Sequence, residues 1–119
     1  MAESVMVVVT RCTDPSRDEE FNKWYDDIHV PDVLTVPHVV AARRYKIAGP
    51  PSKAEPGAQY LTIYTLDTED TKAVSKDLGA RVGQFAAAGR MIDCLQILSG
   101  VTYTALGETR TAANATAKS

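Results

Sequence analysis

Residues 20–33 read "EFNKWYDDIHVPDV", and where this stretch stops being a helix fixes the first crossover of the fold. Phe21, Trp24, Tyr25 and Ile28 recur at helical spacing and form one apolar stripe. Upstream, Ser16 stands three residues before Glu19, the spacing of a capping box. Asp18, Glu19 and Glu20 suit the positive end of the helix dipole. Pro31 has no N–H to continue the ladder and biases Val30 away from helical angles, so the helix is expected to end near His29.

Strands flank this helix. Residues 5–11, "VMVVVTR", are β-branched and bounded by turn residues. "HVVAARRYKI", 38–47, reads as a second strand, followed by the Pro- and Gly-rich loop 48–58. "QYLTIYTL", 59–66, reads as a third. Thr68 is a plausible N-cap for a second helix, "EDTKAVSKDLG", closed by Gly79. Residues 80–90 read as a partly helical connection, and 91–106 as a long fourth strand. The small, polar stretch 107–119 is expected to be a disordered tail behind one domain, 1–106. The order is βαββαβ, the α+β ferredoxin-like arrangement: a four-stranded antiparallel sheet with two helices on one face.

Charge and composition narrow the function. The formal net charge of −2 gives no basic surface for nucleic acid or an anionic membrane. Apolar runs are too short to span a bilayer, and the N-terminus does not read as a secretory signal, so a cytoplasmic location is expected. Two isolated cysteines, Cys12 and Cys94, and two histidines do not make a zinc site; the cysteines read as small buried hydrophobes. No Walker loop or dinucleotide glycine fingerprint is present, and no cofactor is expected.

A sheet covered on one side should be polar on the other. Here both faces are apolar: Val5, Val7 and Val9 oppose Met6 and Val8, and Leu61 and Ile63 oppose Tyr60, Tyr64 and Leu66. On the fourth strand Leu95, Ile97, Val101 and Tyr103 are expected to oppose Cys94 and Leu98. Two helices cover one face, and the other favours a second copy packed sheet to sheet, a homodimer. A cavity on that inner face would draw on Arg43 or Arg44, Tyr60, Thr62, Tyr64 and Tyr103.

With this topology and the run "FNKWYDDIHVPDV", the chain resembles the dimeric α/β-barrel superfamily and, within it, the EthD-like proteins. The resemblance is strongest over Phe21–Ile47 and extends in strand order over about residues 4–106. It implies a homodimer with one pocket per subunit between sheet and helices. It also implies that the histidine after the first helix, His29, faces that pocket as the acid–base group.

Imidazole suits proton transfer near neutral pH. Either Asp26 or Asp32 lies close enough in sequence to hold one ring nitrogen, and the sequence does not choose between them. The expected substrate-binding set is Trp24, Tyr25, His38, Arg43, Tyr60, Tyr64 and Tyr103, with no metal. The favoured activity is a cofactor-free lyase or isomerase (dehydratase, cyclase or decarboxylase type) acting on a small hydrophobic aromatic or polyketide-like substrate. A cofactor-free monooxygenase of a phenolic or anthrone-type substrate is the alternative, and a haem-binding or non-catalytic ligand-binding protein is the other.

Overall fold

The computed structural model describes residues 3–49 and 58–115. Four strands, β1 (Ser4–Cys12), β2 (Val39–Lys46), β3 (Tyr60–Leu66) and β4 (Leu95–Thr104), form one antiparallel sheet in the order β2-β3-β1-β4. Between β1 and β2 run α1 (Asp18–Trp24), a π-helical turn (Tyr25–His29) and α2 (Val30–Val33); α3 (Thr71–Ala87) joins β3 to β4. The ferredoxin-like α+β architecture read from the sequence is the observed one. Most of the loop expected over 48–58 lies outside the described residues, as do 116–119 of the expected tail. Residues 111–114 of that tail form a turn closed by the backbone N–H of Asn114 on Thr111 O at 3.1 Å.

Several local expectations are corrected. The capping box at Ser16 does not form: Asp14 accepts from the Ser16 backbone N–H, at 3.0 Å, and from its hydroxyl, at 2.7 Å. A short turn, Pro15–Arg17, then leads into α1. The helix does not end at His29. The backbone N–H of Val30 reaches back five residues to Tyr25 O, and this wider turn admits Pro31 into the first turn of α2. A proline ring crowds the carbonyl one turn behind it and brings no N–H, so a local widening is the least costly way through. The extra residue puts His29, rather than Ile28, on the buried side with Tyr25 and Val33.

The second helix likewise runs past Gly79. Asp70, not Thr68, caps α3 by accepting from Ala73 N–H at 3.1 Å. Val74, Leu78, Val82 and Phe85 continue one stripe along it, and their burial outweighs the ~1 kcal/mol that each helical glycine costs. Gly89, at φ +74°, ends the rod. Its N–H bonds Ala86 O at 3.1 Å, and that of Arg90 bonds Phe85 O at 2.9 Å, the paired bonds of a Schellman cap.

Register sorts the faces. Ser4, Met6, Thr10, Tyr60, Thr62, Tyr64 and Leu66 lie buried on the helix side. Val5, Val7, Val9, Leu61 and Ile63 lie half-buried on the other. A bulge separates the β4 set expected to share one face. Thr10 pairs with Ile97 but Val9 with Ser99, so Leu98 is the extra residue. Leu95 and Ile97 therefore face the helices, while Val101 and Tyr103 face away.

Candidate functional site

Helix-side packing falls into two clusters. One gathers Met6, Val33, Val36, Val39, Tyr64 and Leu66; the other Cys12, Phe21, Trp24, Tyr25 and Tyr60 with Cys94. The clusters do not meet everywhere. Between them lies a cavity of about 300 Å³, with Met6, Val33 and Tyr64 of the first and Tyr25 of the second in its wall. Leu78 and Val82 of α3 also line it, with Met91 and Leu95. The opening lies between α3 and β4, where Ser75, Ile97 and Gly100 are exposed.

His29 stands in this wall, only 8% exposed. Its ring stacks on Trp24, centroids 4.8 Å apart and planes 18° from parallel, and meets Tyr25 edge-on at 5.0 Å. Trp24 is fixed in turn by its indole N–H, which donates to Arg90 O at 2.8 Å. The imidazole Nδ1 is buried without a hydrogen-bond partner among the described residues. Burial pulls the pKa of His29 down from 6.5 to about 4; the nearby Asp32 charge opposes that shift and Arg44 adds to it. His29 is therefore a neutral imidazole at physiological pH.

The second polar group in the wall is Tyr64. Its hydroxyl is buried and lies near that of Tyr25 without a hydrogen bond of ordinary geometry. Burial pushes the phenol well above its usual range, so it is a proton donor in this environment. Behind Tyr25, the Arg44 guanidinium sits 4.2 Å from the ring centroid. Arg44 also donates to Asn22 Oδ1 and Asp26 Oδ1, each at 2.8 Å, and so pins α1 to β2.

The structure brings three of the sequence-derived candidates, His29, Tyr25 and Tyr64, into the cavity wall; Trp24 supports His29 from behind. Neither expected orienting carboxylate bonds the imidazole. Asp26 is held by Arg44, and Asp32 takes two bonds from Arg90, at 2.7 and 2.9 Å. Both correct the triad-like arrangement drawn from sequence proximity, because arginines from distant segments reach these carboxylates with better geometry.

His38 pairs with Asp67 at 2.7 Å at the exposed start of β2, and Arg43 lies on the opposite sheet face over Tyr45. The Tyr60 hydroxyl donates to Asp18 outside the cavity, and Tyr103 is 55% exposed on the far face. The cavity itself corrects the expectation of a chamber on the open sheet face: it lies on the helix side. Gly100, Met91 and the α3 residues were missed. The apolar spacing Val74–Leu78–Val82 was the signal, had Gly79 not been read as a helix end.

No group of three or more His, Cys, Asp or Glu among the described residues is placed to hold a metal ion. Among them, too, no helix is long and apolar enough to cross a membrane.

Fold and cavity together describe a ferredoxin-like domain with a pocket between sheet and helices. No family model and no curated protein matches the chain. Among solved structures it is similar to HapK from Hahella chejuensis, with a TM-score of 0.62 and 18% identity over 92% of this chain and 98% of that one. An ethyl tert-butyl ether D (EthD) family protein from Bacillus halodurans overlays with a TM-score of 0.47 and 15% identity, covering 92% of this chain and all of that one. A dimeric ferredoxin-like protein of unknown function from Thermobifida fusca overlays at 0.46 and 15%, covering 87% and 89%. The HapK overlay establishes a shared fold, the ferredoxin-like one to which the resemblance over Phe21–Ile47 also points.

Proposed function

We propose that the protein is a cofactor-free lyase or isomerase in which His29 removes a proton from a small, mainly apolar, oxygenated substrate and Tyr64 donates a hydrogen bond to the substrate oxygen. The observation that carries this is a neutral imidazole and a phenol in the wall of one apolar cavity, with His29 Nδ1 and the Tyr64 hydroxyl both without a hydrogen-bond partner among the described residues. A buried polar group without a partner costs roughly 1–3 kcal/mol, and a small rotation of either side chain toward a bound oxygenated ligand would relieve that cost. Proton transfer creates an imidazolium and an enolate side by side. Each charge then stabilises the other where water would not, which offsets the low basicity of His29.

The working unit on this reading is a homodimer. Across the open sheet face, one row runs Ile63–Val7–Val101, apolar on three neighbouring strands, with Val101 45% and Tyr103 55% exposed. Covering that face with a second copy removes this surface from water.

The test uses 2-tetralone, an uncharged bicyclic ketone with acidic C–H groups. Wild-type protein should accelerate exchange of its α-hydrogens with D₂O, followed by NMR. His29→Ala should lose that acceleration by about a hundredfold with the same elution volume. Equal acceleration by wild type and variant discards His29 as the base.

A further inference from the structure

Two ion pairs beside the site stand outside the cavity wall. Asp26 is spent on Arg44 and Asp32 on Arg90, and none of these four lines the cavity. Among the described residues its wall holds no Asp, Glu, Lys or Arg. Apart from His29, the polar groups among the described lining residues are hydroxyls: those of Tyr25 and Tyr64, both buried, and those of Ser75 and Thr102. An anionic ligand would lose its hydration here and meet no cation. A neutral molecule with one or two oxygens loses little.

One position in the wall has no side chain. Gly100 lies on β4 opposite Val8, and a Cβ built there meets nothing within 4 Å. Its backbone does not need the left-handed region. A larger residue would thus be accepted by the strand and would occupy the cavity.

Resting on the reading of this cavity as the substrate site, we propose that it selects uncharged ligands of one or two rings, with the ligand oxygen at His29 and Tyr64, and that Gly100 sets how far the ligand extends toward the opening. Carboxylates of the same size are rejected. Side chains added at Gly100 shorten the acceptable ligand without disturbing the fold.

The experiment compares binding of 2-tetralone with that of 1,2,3,4-tetrahydro-2-naphthoate to the full chain, by calorimetry and by shifts of the His29 ring resonances. Expected is binding of the ketone, with the carboxylate at least tenfold weaker at neutral pH. Equal or tighter carboxylate binding overturns the charge selection, and no binding of either probe overturns the assignment of ligand class. Gly100→Ala and Gly100→Val should keep the thermal midpoint of the parent and weaken ketone binding progressively. Ketone binding that Gly100→Val leaves unchanged overturns the role of Gly100. Selective binding without catalysed exchange would remove the proposed proton transfer and leave this inference standing.

Discussion

His29 makes folding stability depend on pH in a way that a solvent-exposed histidine would not. The unfolded chain takes up a proton on this ring near pH 6.5, whereas the folded protein resists until about pH 4. Between those values the unfolded state binds more protons, so stability falls as pH falls. The contribution is complete above pH 6.5 and gone below about pH 4. A gap of about 2.5 pH units at ~1.36 kcal/mol each is worth about 3 kcal/mol. Carboxylates also change protonation toward the acid end, so the effect must be isolated by difference. His29→Phe retains a ring to stack on Trp24 and has room in the adjoining cavity, but cannot titrate. Urea unfolding of both proteins, at one protein concentration and at pH about 7, 5.5 and 4.5, gives two stability curves. The wild-type curve should fall more steeply, by most of that ~3 kcal/mol at the lowest pH. Parallel curves, or an imidazole NMR midpoint near the free-histidine value, would refute the claim that burial dominates the environment of His29.

Other outcomes follow from the same packing. Tyr64→Phe removes a buried hydroxyl with no partner, so stability should hold or rise by up to ~1 kcal/mol while catalysed exchange of 2-tetralone drops about a hundredfold. Because the Asp32 charge raises the His29 pKa, Asp32→Asn should move the imidazole midpoint still lower, read by NMR titration; an upward move would contradict the assignment. Cys12 and Cys94 are both buried, with sulfurs 3.0 Å apart, and burial pushes the Cys94 thiol up to about 11. Neither should react with an aromatic disulfide reagent in the native state, and both should react in guanidinium chloride. Val7→Asp places a charge in the apolar row of the open sheet face, and should shift elution from dimer to monomer; an unchanged dimer would move the interface elsewhere.

Legibility tracked how local the determining physics is. The strands could be read because β-branched and aromatic residues cluster between turn signals, and β1 and β3 came within a residue of their observed ends. The end of the first helix could not. A proline is read against an α ladder, and the sequence carries no mark of the five-residue hydrogen bond that lets Pro31 pass. The β4 bulge at Leu98 is similarly silent, yet it decides which side chains face the cavity. His29 was placed by the resemblance, which sets the histidine after the first helix at a pocket, and Tyr25 and Tyr64 by residue type, although the sheet face on which the pocket lies was misread. The partners of Asp26 and Asp32 were misassigned because Arg44 and Arg90, which claim them, lie 18 and 58 residues away.

Those two arginines also explain how a histidine flanked by carboxylates stays neutral. Beside a helix end and an unpaired aspartate, an imidazole would be stabilised as the cation. The fold prevents this from two directions. Arg44, half-buried under Tyr25, takes Asp26 and sets its own positive charge behind the aromatic wall, where it disfavours a second cation. Arg90 grips Asp32 with two bonds and spreads much of that carboxylate's field over its own guanidinium. Its carbonyl meanwhile holds the indole on which His29 stacks. With both acids occupied, desolvation decides the protonation state, and the π turn is what delivers the ring into the desolvated position. The neutral base and the wall around it are thus consequences of one arrangement: Asp26 and Asp32 are paired with Arg44 and Arg90 outside the wall, and the described residues that line it are apolar or neutral.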